Sequence, residues 1–115
     1  MANTFKLVSK AGVTSADVIY TVAGSTTTIL LGLTIGNTTS GAITTTVTIE
    51  SDTANRSGAN NEANQNVEIL TAAPIPGNSS LEVMSGNKIV METTDVLKVT
   101  GSAAVDVVLS IMEIT

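Results

Sequence analysis

Ala42-Ile43-Thr44-Thr45-Thr46-Val47-Thr48-Ile49-Glu50 is the stretch on which the fold turns. Ile43, Thr45, Val47 and Ile49 fall on one side of an extended chain, and Thr44, Thr46, Thr48 and Glu50 on the other. Strict alternation of this kind is the pattern of a half-buried β-strand. Upstream, Thr27 to Ile35 predicts a second strand with Ile29, Leu31, Leu33 and Ile35 on one face. Between them, Gly36-Asn37-Thr38-Thr39-Ser40-Gly41 is turn chemistry, so the two strands are expected to pair as a hairpin with a longer loop.

The same test, carried outward, places strands near Phe5–Val8, Asp17–Val22, Val67–Thr71, Leu81–Met84, Lys88–Glu92, Val96–Thr100 and Val105–Ile114. Pro74-Ile75-Pro76-Gly77-Asn78, Gly86-Asn87 and Thr94-Asp95 punctuate them, and Gly86-Asn87 predicts a tight hairpin. Thr, Val and Ile dominate throughout, and these branched residues suit a pleated surface better than a helix. No segment carries a sustained apolar 3.6-residue period. About nine short strands with regular turn signals predict an all-β fold. We expect a single antiparallel β-sandwich over residues 1–115, jelly-roll-like or immunoglobulin-like.

Composition narrows the function. The chain has 115 residues, 43% hydrophobic but only 2% aromatic, with Phe5 and Tyr20 as its only rings. Its core must therefore be built from small branched aliphatics. Charged residues are 13% of the chain, and the net charge of −5 argues against a nucleic-acid footprint. With no His and no Cys, the commonest zinc sites, thiol nucleophiles and Ser-His pairs are excluded. Lys6, Ser9, Lys10 and Ser15 interrupt every early apolar run, so neither a secretory leader nor a membrane span is expected, and synthesis in a cytoplasm is.

The carboxylates are scattered singly, most at positions expected to face solvent, and neither a P-loop nor a Gly-x-Ser-x-Gly motif occurs. An enzyme is not expected, nor a metal or cofactor. Asp52, Asn55, Asn60, Asn61 and Glu62 could offer oxygens to calcium but lack the ligand rhythm of a calcium loop. The acceptor-like triplets at Asn37, Asn55 and Asn78 are expected by chance in a chain so rich in Asn, Ser and Thr. The row Thr44, Thr46 and Thr48 reads as a solvated face.

Two features remain. Residues 51–66 form a polar excursion without a large apolar side chain, and they contain the only arginine, Arg56. A stretch of that length is either an exposed hairpin tip or a contact loop. The second feature is apolar excess on the wrong side of strands. Val105, Val107, Leu109 and Ile111 face one way, yet Val108, Met112 and Ile114 face the other. Leu30, Leu70, Met84 and Val90 likewise sit opposite their strands' main apolar sets. Such residues either meet a second layer inside the domain or form an exposed association patch.

The opening Met1-Ala2-Asn3-Thr4-Phe5-Lys6, Asp17 to Val22, Thr28 to Leu33, Pro74 to Leu81, Gly86 to Glu92, Asp95 to Thr100 and Leu109 to Ile114 belong together. Jointly these segments resemble the small virion structural proteins of tailed bacteriophages, marine and cyanobacterial ones especially. The similarity spans most of the chain outside residues 51–66. It implies a non-enzymatic capsid decoration or cement protein located in the virion, with a neck, tail or fibre component as the alternative. The implied partners are the major capsid protein or other virion proteins and further copies of the chain, with a trimer favoured and neither nucleic acid nor membrane involved. A host-glycan recognition module using the polar loop is a further alternative. The contact residues expected are Phe5, Asn55, Arg56, Asn60, Asn61, Val108, Met112 and Ile114.

Overall fold

A computed structural model describes residues 2–51 and 65–115. Among the described residues nine strands run in order: β1 Asn3–Val13, β2 Asp17–Thr21, β3 Thr27–Asn37, β4 Ile43–Ser51, β5 Gln65–Ile75, β6 Ser80–Glu82, β7 Ile89–Met91, β8 Val96–Gly101 and β9 Val105–Ile114. They form two antiparallel sheets packed as a sandwich, one ordered β1-β9-β3-β6 with β7 also on β3, the other β2-β8-β4-β5. Because β6 and β7 pair with opposite ends of the same neighbour, they act as one broken strand. With those two merged, the order is that of a jelly roll, which decides between the two sandwich types the sequence leaves open.

The alternation read in Ala42–Glu50 is seen in the fold. Ile43, Thr45 and Val47 are buried, with Ile49 partly so; Ile43 and Val47 share the core with Leu33, Ile35, Val107, Leu109 and Ile111 of the other sheet. That core holds aliphatics and methionines, as the scarcity of rings requires.

Both expected hairpins are absent. β3 and β4 lie in different sheets, and the segment between them carries the chain from one layer to the other. Asn37 is the reason. Buried at 3% exposure, its side-chain amide donates to the carbonyls of Gly41 (2.8 Å), Ile75 (3.0 Å) and Pro76 (3.2 Å). Its Oδ1 accepts from the Thr39 amide and hydroxyl. One side chain thus fastens both layer crossings at that end. Gly77 completes the corner, since a Cβ there would collide with the Ser40 carbonyl. The Gly86-Asn87 turn closes on Met84 (Asn87 N–H to Met84 O, 2.8 Å), but the strands flanking it bond to β3 rather than to each other. Among the described residues, the consecutive strands that do pair are β4 and β5, through two register shifts and down to Ser51 opposite Gln65. They flank the polar stretch.

Two further differences have local causes. Pro74 lies inside β5 rather than ending it, which an edge strand bonded on one side to β4 allows. In β3 the register slips between Leu30 and Gly32, a β-bulge that exchanges the faces of the strand. Thr28 and Leu30 therefore point inward before it and Leu33 and Ile35 after it, while Ile29 and Leu31 are only half-buried.

Candidate contact surface

The register of β1, β9, β3 and β6/β7 lines up side chains in rows across the outward side of that sheet. One row reads Phe5, Met112, Ile29, Val90. On one side of it lies Asn3, Ile114, Thr27; on the other come Leu7, Ser110, Gly32 and then Ser9, Val108, Thr34, Glu82. Glu82, at the edge, is the sole charged side chain in these rows. Phe5 is 71% exposed, Leu7 69%, Val90 61% and Val108 46%, while Met112, Ile29 and Ile114 are half-buried among them. These exposed side chains offer roughly 400 Å² of apolar surface, a size at which patches on monomers are often functional. At the far end, Ser9, Lys10, Ala11, Asp106, Val107 and Val108 line a shallow depression, where Gly12 N–H donates to Asp106 Oδ1 (3.1 Å).

Of the residues the sequence singles out, Phe5 and Met112 are direct cross-strand neighbours, Ile114 lies one step away and Val108 shares the same face. Asn55, Arg56, Asn60 and Asn61 lie outside the described residues. The four residues thought to oppose their strands' apolar sets divide. Leu30 and Met84 belong to the core, Leu70 is half-buried, and Val90 joins the patch. Leu7 and Ile29 also belong to the face and were not anticipated. Leu7 was legible as the second residue after Phe5 on one strand; Ile29 was concealed by the bulge.

Behind this face, at the end of the sandwich where β1 begins, Lys6, Tyr20, Thr28 and Glu113 form a polar cluster of four side chains. Lys6 Nζ pairs with Glu113 Oε1 (2.6 Å), and the Tyr20 hydroxyl donates to Oε2 (2.5 Å). Tyr20 comes from the other sheet, and its oxygen is also 2.8 Å from Thr28 Oγ1. The cluster therefore ties β1, β9, β3 and β2 together. Chiefly by burial, and then by the neighbouring carboxylate, the Tyr20 phenol is pushed up to about 12. Lys6 first, and then the Tyr20 hydroxyl, hold the Glu113 carboxyl below its ordinary range. Most carboxylates were expected outward, but Glu113 points inward, and Asp95 is buried in a turn where it accepts from Glu92 N–H (2.9 Å). Because its partners lie 93 residues apart in sequence, the Tyr20–Glu113 contact leaves no local signal. Among the described residues, no group of three or more carboxylates is placed to hold a metal ion.

The acceptor-like triplet at Asn37 has its amide buried in the corner described above, which removes it as a glycosylation site. Among the described residues no helix is long and apolar enough to cross a membrane.

No protein-family model matches the chain, and no curated protein matches it in sequence. A solved structure from the Bacillus endospore appendages, which form a family of disulfide-linked pili, is similar in fold. It has a TM-score of 0.52 at 15% identity, over 97% of this chain and 84% of that one. The likeness is one of fold; this chain contains no cysteine.

Proposed function

We propose that the chain is a non-enzymatic structural subunit of a phage particle, a decoration or cement protein on the capsid. The observation that carries the structural reading is the outward side of the β1-β9-β3-β6/β7 sheet, set with exposed Phe5, Leu7, Val90 and Val108, its strand residues charged only toward one end, at Glu82 and Asp106. A sheet side meant for water would alternate cleanly to polar residues. The sequence resemblance to phage virion proteins supports the capsid setting. The mechanism is linkage: a subunit that binds the assembled shell and not its free parts shifts assembly toward the shell. Many weakly held copies gain from being presented together.

A second reading, a subunit of the tail, neck or fibres, is favoured by the fold likeness to a pilus protein. Counting copies per purified particle by quantitative mass spectrometry separates the two. Hundreds of copies in simple ratio to the major shell protein support decoration, and a dozen or fewer support the tail or fibre reading. Finding none removes the chain from the virion.

A further inference from the structure

We propose that the outward side of the β1-β9-β3-β6/β7 sheet pairs face to face with the same side of a second copy, about a twofold axis along the strands. This rests on the reading of that face as a contact surface and names what covers it.

Self-complementarity within the rows picks out the second copy. The row Phe5, Met112, Ile29, Val90 runs from one edge strand to the other, with the bulkiest side chain at one end and a small one at the opposite end. A twofold axis along the strands reverses each row. Phe5 then lies over the smaller Val90 of the second copy, and Met112 over its Ile29, so every contact in this row is apolar and large meets small at both ends. In the same operation Ser9 lies over Glu82 and Val108 over Thr34. Gly32 and Ser110 leave the middle of the face low, and a Cβ added at Gly32 would meet no neighbouring atom.

Charge argues the same way. Two copies at net charge −5 repel each other over most of their surface. Among the described strand residues this side carries two carboxylates, Glu82 at the rim and Asp106 at the far end of β9 opposite Gly36, and neither lies in the rows around Phe5, Met112, Ile29 and Val90, so here two acidic copies can approach. Four strands about 4.8 Å apart and some seven residues of strand length give a face of roughly 450 Å², hence about 900 Å² buried in a pair. That is below the standard interface size and fits a weak pair, with a Kd of ~10–100 µM. Face-to-face sheets lie about 10 Å apart and cross at about 30°.

The test is sedimentation velocity over a concentration series of the full chain. The wild-type protein is expected to show a monomer–dimer equilibrium in the ~10–100 µM range. Phe5→Lys alone and Val90→Glu alone should each weaken it at least ~10-fold. The double variant Phe5→Lys/Val90→Glu should recover most of the affinity. Within one copy the two positions stand about 14 Å apart across the sheet, so only contact between copies can rescue. Val18→Glu, on the outward side of the other sheet, should change nothing, and retained far-UV circular dichroism checks that each variant folds. A chain monomeric at every concentration, a dimer indifferent to the single changes, or a double variant without rescue would each overturn the pairing. Loss of particle incorporation in Phe5→Lys with a monomeric wild type would leave the structural-subunit reading standing and refute the second copy as occupant.

Discussion

On the outward side of β4 and β8, threonine and charge dominate the rows. Thr46 lies beside Thr100, Thr48 beside Lys98 and Glu68, and Glu50 beside Asn66 and Val96. Lys98 and Glu50 form an ion pair at 2.8 Å, and the Thr46 hydroxyl accepts the Ala72 amide at a bulge in β5. On the outward side of β1, β9, β3 and β7 the rows hold Phe5, Leu7, Ile29, Met112, Val108 and Val90. Both sides come from the same alternation. The apolar side is the more exposed of the two, the reverse of what water alone would favour, and this is the difference the proposed contact accounts for.

The sharpest way to break this comparison is to cut the core and the face of the same sheet and compare the losses. Leu30 and Phe5 are both large and apolar, but Leu30 is fully buried while Phe5 is 71% exposed. Leu30→Ala should lower stability by ~2–5 kcal/mol through lost burial and the cavity it leaves. Phe5→Ala should stay within ~0.5 kcal/mol, read by urea unfolding at concentrations where the chain is monomeric. Equal losses would mean that Phe5 supports the fold and that the face is no spare surface.

Leu30 also marks the limit of what sequence could reveal. The alternation in Ala42–Glu50 announced β4 and its faces because nothing interrupts it. In Thr27–Ile35 the same reasoning put Leu31 and Ile29 inward, and one bulge residue reversed them. A bulge changes the phase of a strand without changing its composition, so the period test cannot detect it. The hairpins failed for a different cause. Gly36–Gly41 is turn chemistry, but what decides whether a turn stays in one sheet or crosses to the other is Asn37 reaching Ile75 and Pro76, far along the chain. Pairing of β9 with β1 and β3 is equally non-local. Most of the apolar face was nonetheless visible, since Val108, Met112 and Ile114 break the alternation of β9 and Val90 that of β7, and Phe5 stands out as one of two rings.

A smaller effect tests what fixes β1, the strand that carries Phe5 and Leu7, to the rest. Tyr20→Phe removes the hydroxyl shared by Glu113 and Thr28 and should cost ~1–2 kcal/mol in unfolding experiments. The pH profile carries the same signature. Glu113 titrates lower in the folded chain than its ordinary value of 4.5, so its contribution is present above that value and disappears as pH falls through the folded pKa. Tyr20 is raised from 10.0 to about 12, so its contribution is full below pH 10 and disappears as pH rises toward 12. Tyr20→Phe should flatten the alkaline limb and weaken the acid one, and Glu113→Gln should flatten the acid limb. A profile unchanged in both variants would uncouple β1 from this cluster.

The smallest expected effect lies on the solvated sheet. Lys98 and Glu50 are each about a quarter exposed, with side-chain exposures of 28% and 27%, and their ion pair bridges β8 and β4. Water and salt screen such a pair, so a double-mutant cycle of Lys98→Ala and Glu50→Ala should give a coupling of only ~0.2–1 kcal/mol. The coupling should shrink as salt rises from low to molar concentration. Self-association should respond oppositely, because added salt screens the repulsion between acidic copies while leaving the apolar rows intact. One salt titration therefore separates the two sides: it should loosen the ion pair on β4 and β8 and strengthen contact through β1, β9 and β3. Association that weakens with salt would mean that charge, and not the apolar rows, holds the copies together.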